Sequence, residues 1–286
     1  MRDVASERDE RGIPIRQVGV RDIDLPVLIR EKQGGHARVV GVFEAFVELP
    51  HHERGTHMSR FVEILSGWSK RAVAMPEMRE MLAEVRERFD AYAAQIDLRF
   101  AYFLSKRAPA TDLPCQLDYD CFFRAGDVDG DFDFTLGAEV PVITLCPCSR
   151  EISEHGAHSQ RALIRVRLRT GKDRIIWLED LIPLVEEQGS EQVYPMLKRA
   201  DEKLITERSY QNPKFVEDVV RDSVIALRAL PDVTWFSVSC ESFESIHNHS
   251  AWAYTEWSDG DTDSSPSAES AVRFGPGNGE SRWSYR

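Results

Sequence analysis

No apolar run in this 286-residue chain approaches the roughly 20 residues that a membrane-crossing helix needs, and no charged-then-apolar leader opens it. A cytoplasmic protein without a membrane partner is expected. Cysteine is scarce: five residues, Cys115, Cys121, Cys146, Cys148 and Cys240, are sparse and odd in number, which argues against a disulfide framework and for reduced thiols. Excess positive charge is also lacking. A net charge of -12 disfavours general nucleic-acid binding, which depends on basic surface to displace counterions, so an anionic small ligand would need a local cationic pocket. What is present, 42% hydrophobic and 29% charged residues, describes a soluble globular protein of one large or two ordinary domains.

Hydrophobic periodicity points to a repeated unit. After a charged start (1–12) expected to be disordered, alternation predicts a hairpin over 25–31 and 38–49. Two helical patterns follow around Phe61 and Met81, then strands over 96–104 and 115–123, giving the order ββααββ. The second half repeats it, with strands over 131–145 and 161–169, helices over 177–188, 193–207 and 213–230, and strands over 232–240 and 249–257. The fold class expected is α+β: one module over 13–126 and a second over 127–257, each a four-stranded antiparallel sheet with helices on one face. The open faces are expected to be resolved by closing a barrel across subunits. The tail, 258–286, reads as disordered from its Ser, Gly, Asp and Pro content.

The chemistry concentrates in TLCPCSREISEHGAHSQR (144–161), which holds Cys146, Cys148, His155 and His158 between an apolar run and a strand. Thiolate and neutral imidazole suit zinc or iron(II), and an ion with an open position acidifies water. The spacing matches no standard zinc finger, and the same cysteines are compatible with small buried side chains bracketing a strand end. A second cluster, CESFESIHNHSAWA (240–253), adds Glu241, Glu244, His247 and His249, so four of the eight histidines lie in two short stretches. Three other features carry simpler readings. Asp127 to Asp133 looks like a calcium loop with its glycine misplaced, hence a solvated hairpin turn. The alternating Arg161, Arg165, Arg167 and Arg169 read as a wetted strand face or a phosphate ladder. Glu202 points away from an apolar stripe formed by Val193, Met196, Leu197, Ala200 and Leu204, and Glu217 stands four residues before Arg221, a spacing for a surface ion pair.

Five motifs in order, RGTHMSR (54–60), PVITLCPCSREISEHGAHSQR (141–161), YPMLKRADEK (194–203), NPKFVEDVVRD (212–222) and FESIHNHSAWA (243–253), closely resemble the type IB GTP cyclohydrolase family over roughly residues 13–257. The resemblance implies a tunnelling fold of two tandem modules and a homotetramer with active sites between subunits. It implies conversion of GTP, with loss of formate, to 7,8-dihydroneopterin triphosphate. It further implies a divalent ion (Zn, Mn or Fe(II)) held by Cys146, His158, Glu202 and His247, with Cys146 also a catalytic candidate. Proton transfer is assigned to Glu244 and His249, guanine binding to Glu217, and triphosphate binding to Arg54, His57 and Arg60. Cys148 is left as ligand, redox-sensitive neighbour or packing residue. Thr56 stands where a larger aliphatic is usual, and Ser250 and Trp252 where Asp and Tyr are commoner. These departures leave open a paralogue whose product or pathway differs, such as one with a cyclic-phosphate product; the rival readings are a related pterin or deazapurine enzyme with a nucleophilic cysteine, and a scaffold that has lost catalysis.

Overall fold

The computed structural model describes residue 5, residues 7–171 and residues 174–260. The expected disordered tail lies outside the described residues from 261 onward, as do residues 1–4 and 6 of the start. Within that start, Arg8 bridges Glu53, and Asp9 N donates to His52 O at 2.9 Å.

In chain order the elements are β1 (Ile15–Arg30), β2 (His36–Leu49), α1 (Met58–Trp68), β3 (Ala72–Val73), α2 (Met75–Phe89), β4 (Ala93–Arg107), β5 (Pro114–Val128) and β6 (Asp131–Leu145). There follow α3 (Pro147–Ile152), β7 (Ser159–Thr170), α4 (Leu178–Glu186), β8 (Glu191–Gln192), α5 (Arg199–Gln211), α6 (Val216–Arg228), β9 (Val233–Ser242) and β10 (Ala251–Ser258). Period-two alternation places one set of side chains in the core: Ile96, Leu98 and Phe100 on β4, Cys121 and Phe123 on β5, Val140 and Val142 on β6, Ile164 and Val166 on β7, and Val238 and Cys240 on β9. The helices cover that face with Phe61, Leu65, Met81, Leu82, Ile182 and Val219.

The opposite face carries paired charges. Arg99 donates to Glu44 at 2.7 Å, Arg124 to both oxygens of Asp97 at 2.8 Å, and Arg165 to Glu241 at 2.9 Å and Glu139 at 3.3 Å.

The expectation of two sheets closing into an oligomeric barrel is corrected. The strands form one open ten-stranded sheet in the order β10-β9-β7-β6-β5-β4-β2-β1-β3, with β8 paired to β6. The physical reason is the turn at Asp129 and Gly130, both at positive φ. It folds β6 directly onto β5, from Val128 opposite Asp131 to Asp120 opposite Glu139, so the pairing continues unbroken between the halves. β10 and β3 stand at opposite ends of that order and, among the described residues, do not pair with each other.

One helix is also displaced. The periodicity predicts 193–207, whereas α5 spans Arg199–Gln211, because Pro195 leaves the preceding residues extended and Asp201 caps the helix instead. Its buried positions are Asp201, Ile205 and Ser209, not the predicted stripe.

Candidate active site

β6 runs out at Leu145, and Pro147 at the first helical position starts the short α3, so Cys146 becomes its N-cap and its Sγ accepts from Ser149 N at 3.4 Å. The chain turns back through Gly156, at φ +80°, where a side chain would be strained. It then enters β7 with Ser159 opposite Leu145. Cys146 N donates to His158 O at 3.1 Å, while Ser149 Oγ donates to Cys146 O and accepts from His158 N, each at 3.2 Å. The thiol and the imidazole therefore leave neighbouring points of the backbone.

β9 brings a third group. Beyond its last residue, Ser242, Glu244 places Oε2 3.7 Å from His158 Nδ1 and accepts from Ser242 Oγ at 3.0 Å. The sequence patterns missed the polar residues that join these groups. Gln160 Oε1 meets His158 Nδ1 at 3.0 Å. Its Nε2 reaches Thr144 Oγ1 and Ser242 Oγ at 3.2 Å each, and Glu244 Oε1 at 3.4 Å. Thr144 and Ser242 are 2% and 1% exposed and lie 3.0 Å apart. Thr144 shows in the sequence only as a hydroxyl near the end of an apolar run, and Ser242 is one of several hydroxyls on β9.

The remaining predicted residues are not gathered here. His247 and His249 sit in the exposed β9–β10 connection with their rings stacked, centroids 5.0 Å apart. Glu202 is exposed on α5. Glu217 is exposed in the first turn of α6, and Arg221 pairs with Asp218 at 3.3 Å rather than with it. At the start of α1, Arg54 pairs with Glu7 at 2.5 Å, Arg60 lies 6.0 Å from the Phe89 ring centre, and His57 is the helix N-cap. Among the described residues no three His, Cys, Asp or Glu side chains gather as a metal site. The fit to a divalent ion within one chain is therefore partial: Cys146 and His158 are adjacent and chemically suited, and the other two donors stand apart from them.

The other candidates resolve as structure. Arg165 and Arg169 are engaged with Glu139, Glu241, Thr135 and Asp133, and Arg167 lies over the Phe122 ring, so these three do not form a phosphate ladder. The segment 127–133 is the β5–β6 hairpin turn, with Gly130 N donating to Asp127 Oδ1. Burial raises the pKa of the Cys121 thiol and pushes that of Cys240 up to about 12, so both stay protonated at neutral pH. Cys146 and Cys148, half-buried and exposed, are the accessible pair of this region.

The fold defines the first level of identity. The chain superposes on a uricase from Arthrobacter globiformis with a TM-score of 0.55 at 8% identity, covering 88% of this chain and 95% of that one. It is an α+β protein with the fold of the urate oxidases, carrying a cysteine, histidine and glutamate at the meeting of three strand ends. The second level comes from sequence relatives. The family model for type I GTP cyclohydrolase folE2 matches residues 1–253. GTP cyclohydrolase FolE2 of Syntrophotalea carbinolica is 48% identical over 266 residues, 93% of this chain and 98% of that protein. GTP cyclohydrolase FolE2 of Geotalea uraniireducens is 48% identical over 256 residues, 90% and 93% respectively. This chain belongs to the type I GTP cyclohydrolase FolE2 family.

Proposed function

We propose that this protein is a GTP cyclohydrolase of folate biosynthesis. It adds water across the imidazole ring of guanine, releases C8 as formate and recloses the remaining nitrogen onto the sugar carbons to give 7,8-dihydroneopterin triphosphate. The observation that carries this reading is 48% identity to a FolE2 protein over 93% of the chain, with Cys146, His158 and Glu244 converging at the end of the sheet.

Cys146 and His158 would hold a divalent ion (Zn, Mn or Fe(II)) together with Glu202 and His247. Such an ion supplies Lewis acidity that lets water act as a nucleophile near neutral pH. Glu244 and His249 move protons to the opening ring and later along the sugar, work suited to a carboxylate and an imidazole within reach of the reacting atoms. Glu217 accepts from the N1 and N2 donors of guanine. Arg54 and Arg60 supply positive charge to the triphosphate, and His57 joins them at the N-terminus of α1, the positive end of the helix dipole. Glu202 and His247 are exposed in one chain, so the site is completed in a homo-oligomer, a homotetramer with active sites at its interfaces.

Incubation with GTP and manganese, followed by oxidation, is expected to give pterin fluorescence that a chelator abolishes. Turnover that ignores the chelator and disappears on thiol alkylation would point instead to a cysteine-nucleophile enzyme. No turnover of any nucleotide would point to a scaffold.

A further inference from the structure

The hydrogen-bond network behind His158 contains more information than its distances. Ser242 Oγ donates its one proton to the Glu244 carboxylate, which accepts only, and Thr144 Oγ1 is then the donor toward Ser242 Oγ at 3.0 Å. Both hydroxyl protons are thereby used. The Gln160 group at 3.2 Å from those two oxygens and 3.4 Å from Glu244 Oε1 must be a donor, the amide NH2. A flipped amide would set its carbonyl oxygen against the carboxylate. The Gln160 carbonyl oxygen therefore faces His158 Nδ1 at 3.0 Å, with Ser245 Oγ donating to it at 3.4 Å from the other side. A carbonyl oxygen only accepts, so Nδ1 has to carry the proton.

From this we infer that Gln160 is a positioning residue that holds neutral His158 as the Nδ1–H tautomer and keeps the lone pair on Nε2. The inference deepens the proposed metal site, on which its binding prediction rests: an imidazole ligand needs a free ring nitrogen, and a fixed outer partner orients the ring and sets the tautomer. Thr144, Ser242 and Glu244 belong to the same chain of donors and acceptors, so the tautomer is dictated by Gln160 at the start of β7 together with the buried hydroxyls of β6 and β9 that fix its amide.

The test uses the whole protein, metal-free and labelled with nitrogen-15 at histidine, at a pH where the ring is neutral. Long-range nitrogen–proton correlation is expected to show His158 protonated at Nδ1. Protonation at Nε2 in this unmodified protein overturns the inference without any variant. In Gln160→Leu the Nδ1 preference is expected to be lost, and cobalt(II) binding, followed by its thiolate charge-transfer absorption, is expected to weaken about 10- to 100-fold. A variant whose tautomer and cobalt affinity both match the unmodified protein also overturns it. Failure of the unmodified protein to bind cobalt at all sinks the metal reading, while the tautomer still decides the role of Gln160.

Discussion

Asp201 has no exposed surface, yet its carboxylate is held ionised well below the usual range. Burial alone would push its pKa up. Hydrogen bonds from Thr111 Oγ1 and from the backbone N–H groups of Lys198, Thr111 and Ala110, at 2.7 to 2.9 Å, outweigh that penalty. Because the folded value lies below an unfolded value of about 3.9, the stability Asp201 contributes is present above that pH and lost as pH falls through the folded value. Asp201→Asn is expected to unfold at lower urea than the unmodified chain at neutral pH, with the gap narrowing below about pH 4 as the carboxylate of the unfolded chain takes up its proton while the folded one is still ionised. An equal gap at pH 7 and at low pH would contradict this. Asp201 also precedes Glu202, so its four bonds hold the helix turn from which that proposed ligand projects. At Cys146 the prediction is functional: Cys146→Ser is expected to keep the fold, seen by circular dichroism, and to lose GTP turnover.

Between elements, one buried ion pair ties the α4 end of the second half to the strands of the first. Lys106 Nζ on β4 lies 2.6 Å from Glu186 Oε1 at the end of α4 and donates to Val193 O at 3.0 Å, and Tyr119 on β5 donates to the same carboxylate oxygen at 2.7 Å. With the side chains 8% and 5% exposed, removal of one partner leaves the other charge dry. Glu186→Ala is expected to cost about 3–5 kcal/mol in urea denaturation, whereas a double replacement by Met and Leu is expected to cost much less. On β1, a Cβ at Gly19 would meet the carbonyl oxygen of Ala45 at 1.9 Å. Backbone cannot rotate away as a side chain can. Gly19→Ala is thus expected to weaken β1–β2 pairing, read as faster amide exchange along β1.

At the scale of the whole molecule the open sheet leaves an edge at β10, where Trp252 and Tyr254 are exposed and stack with ring planes 3° apart. Among the described residues the proposed ligands Cys146, His158, Glu202 and His247 do not gather in threes within one chain. If each active site draws on two copies, co-expressed Cys146→Ser and Glu202→Gln chains are expected to recover part of the activity that each variant lacks alone. Mixed protein as inactive as either parent would place all the donors in one chain.

The family was legible because it rests on local order, five motifs in sequence, and so was the nearness of Cys146 and His158 beside an apolar run, with β6 at its observed bounds. Hairpins and amphipathic helices were legible for the same reason, since periods of two and 3.6 record which face is buried. The start of α5 was misread, because a buried aspartate bonded to a distant hairpin leaves no periodic trace. The continuous open sheet and the role of Gln160 were decided only in three dimensions. The sheet needs the pairings of β2 with β4 and of β7 with β9, and Gln160 its bonds to Ser242 and Glu244, all between residues tens of positions apart; it is the pairing of strands, not the identity of any one residue, that brings those donors and acceptors within reach.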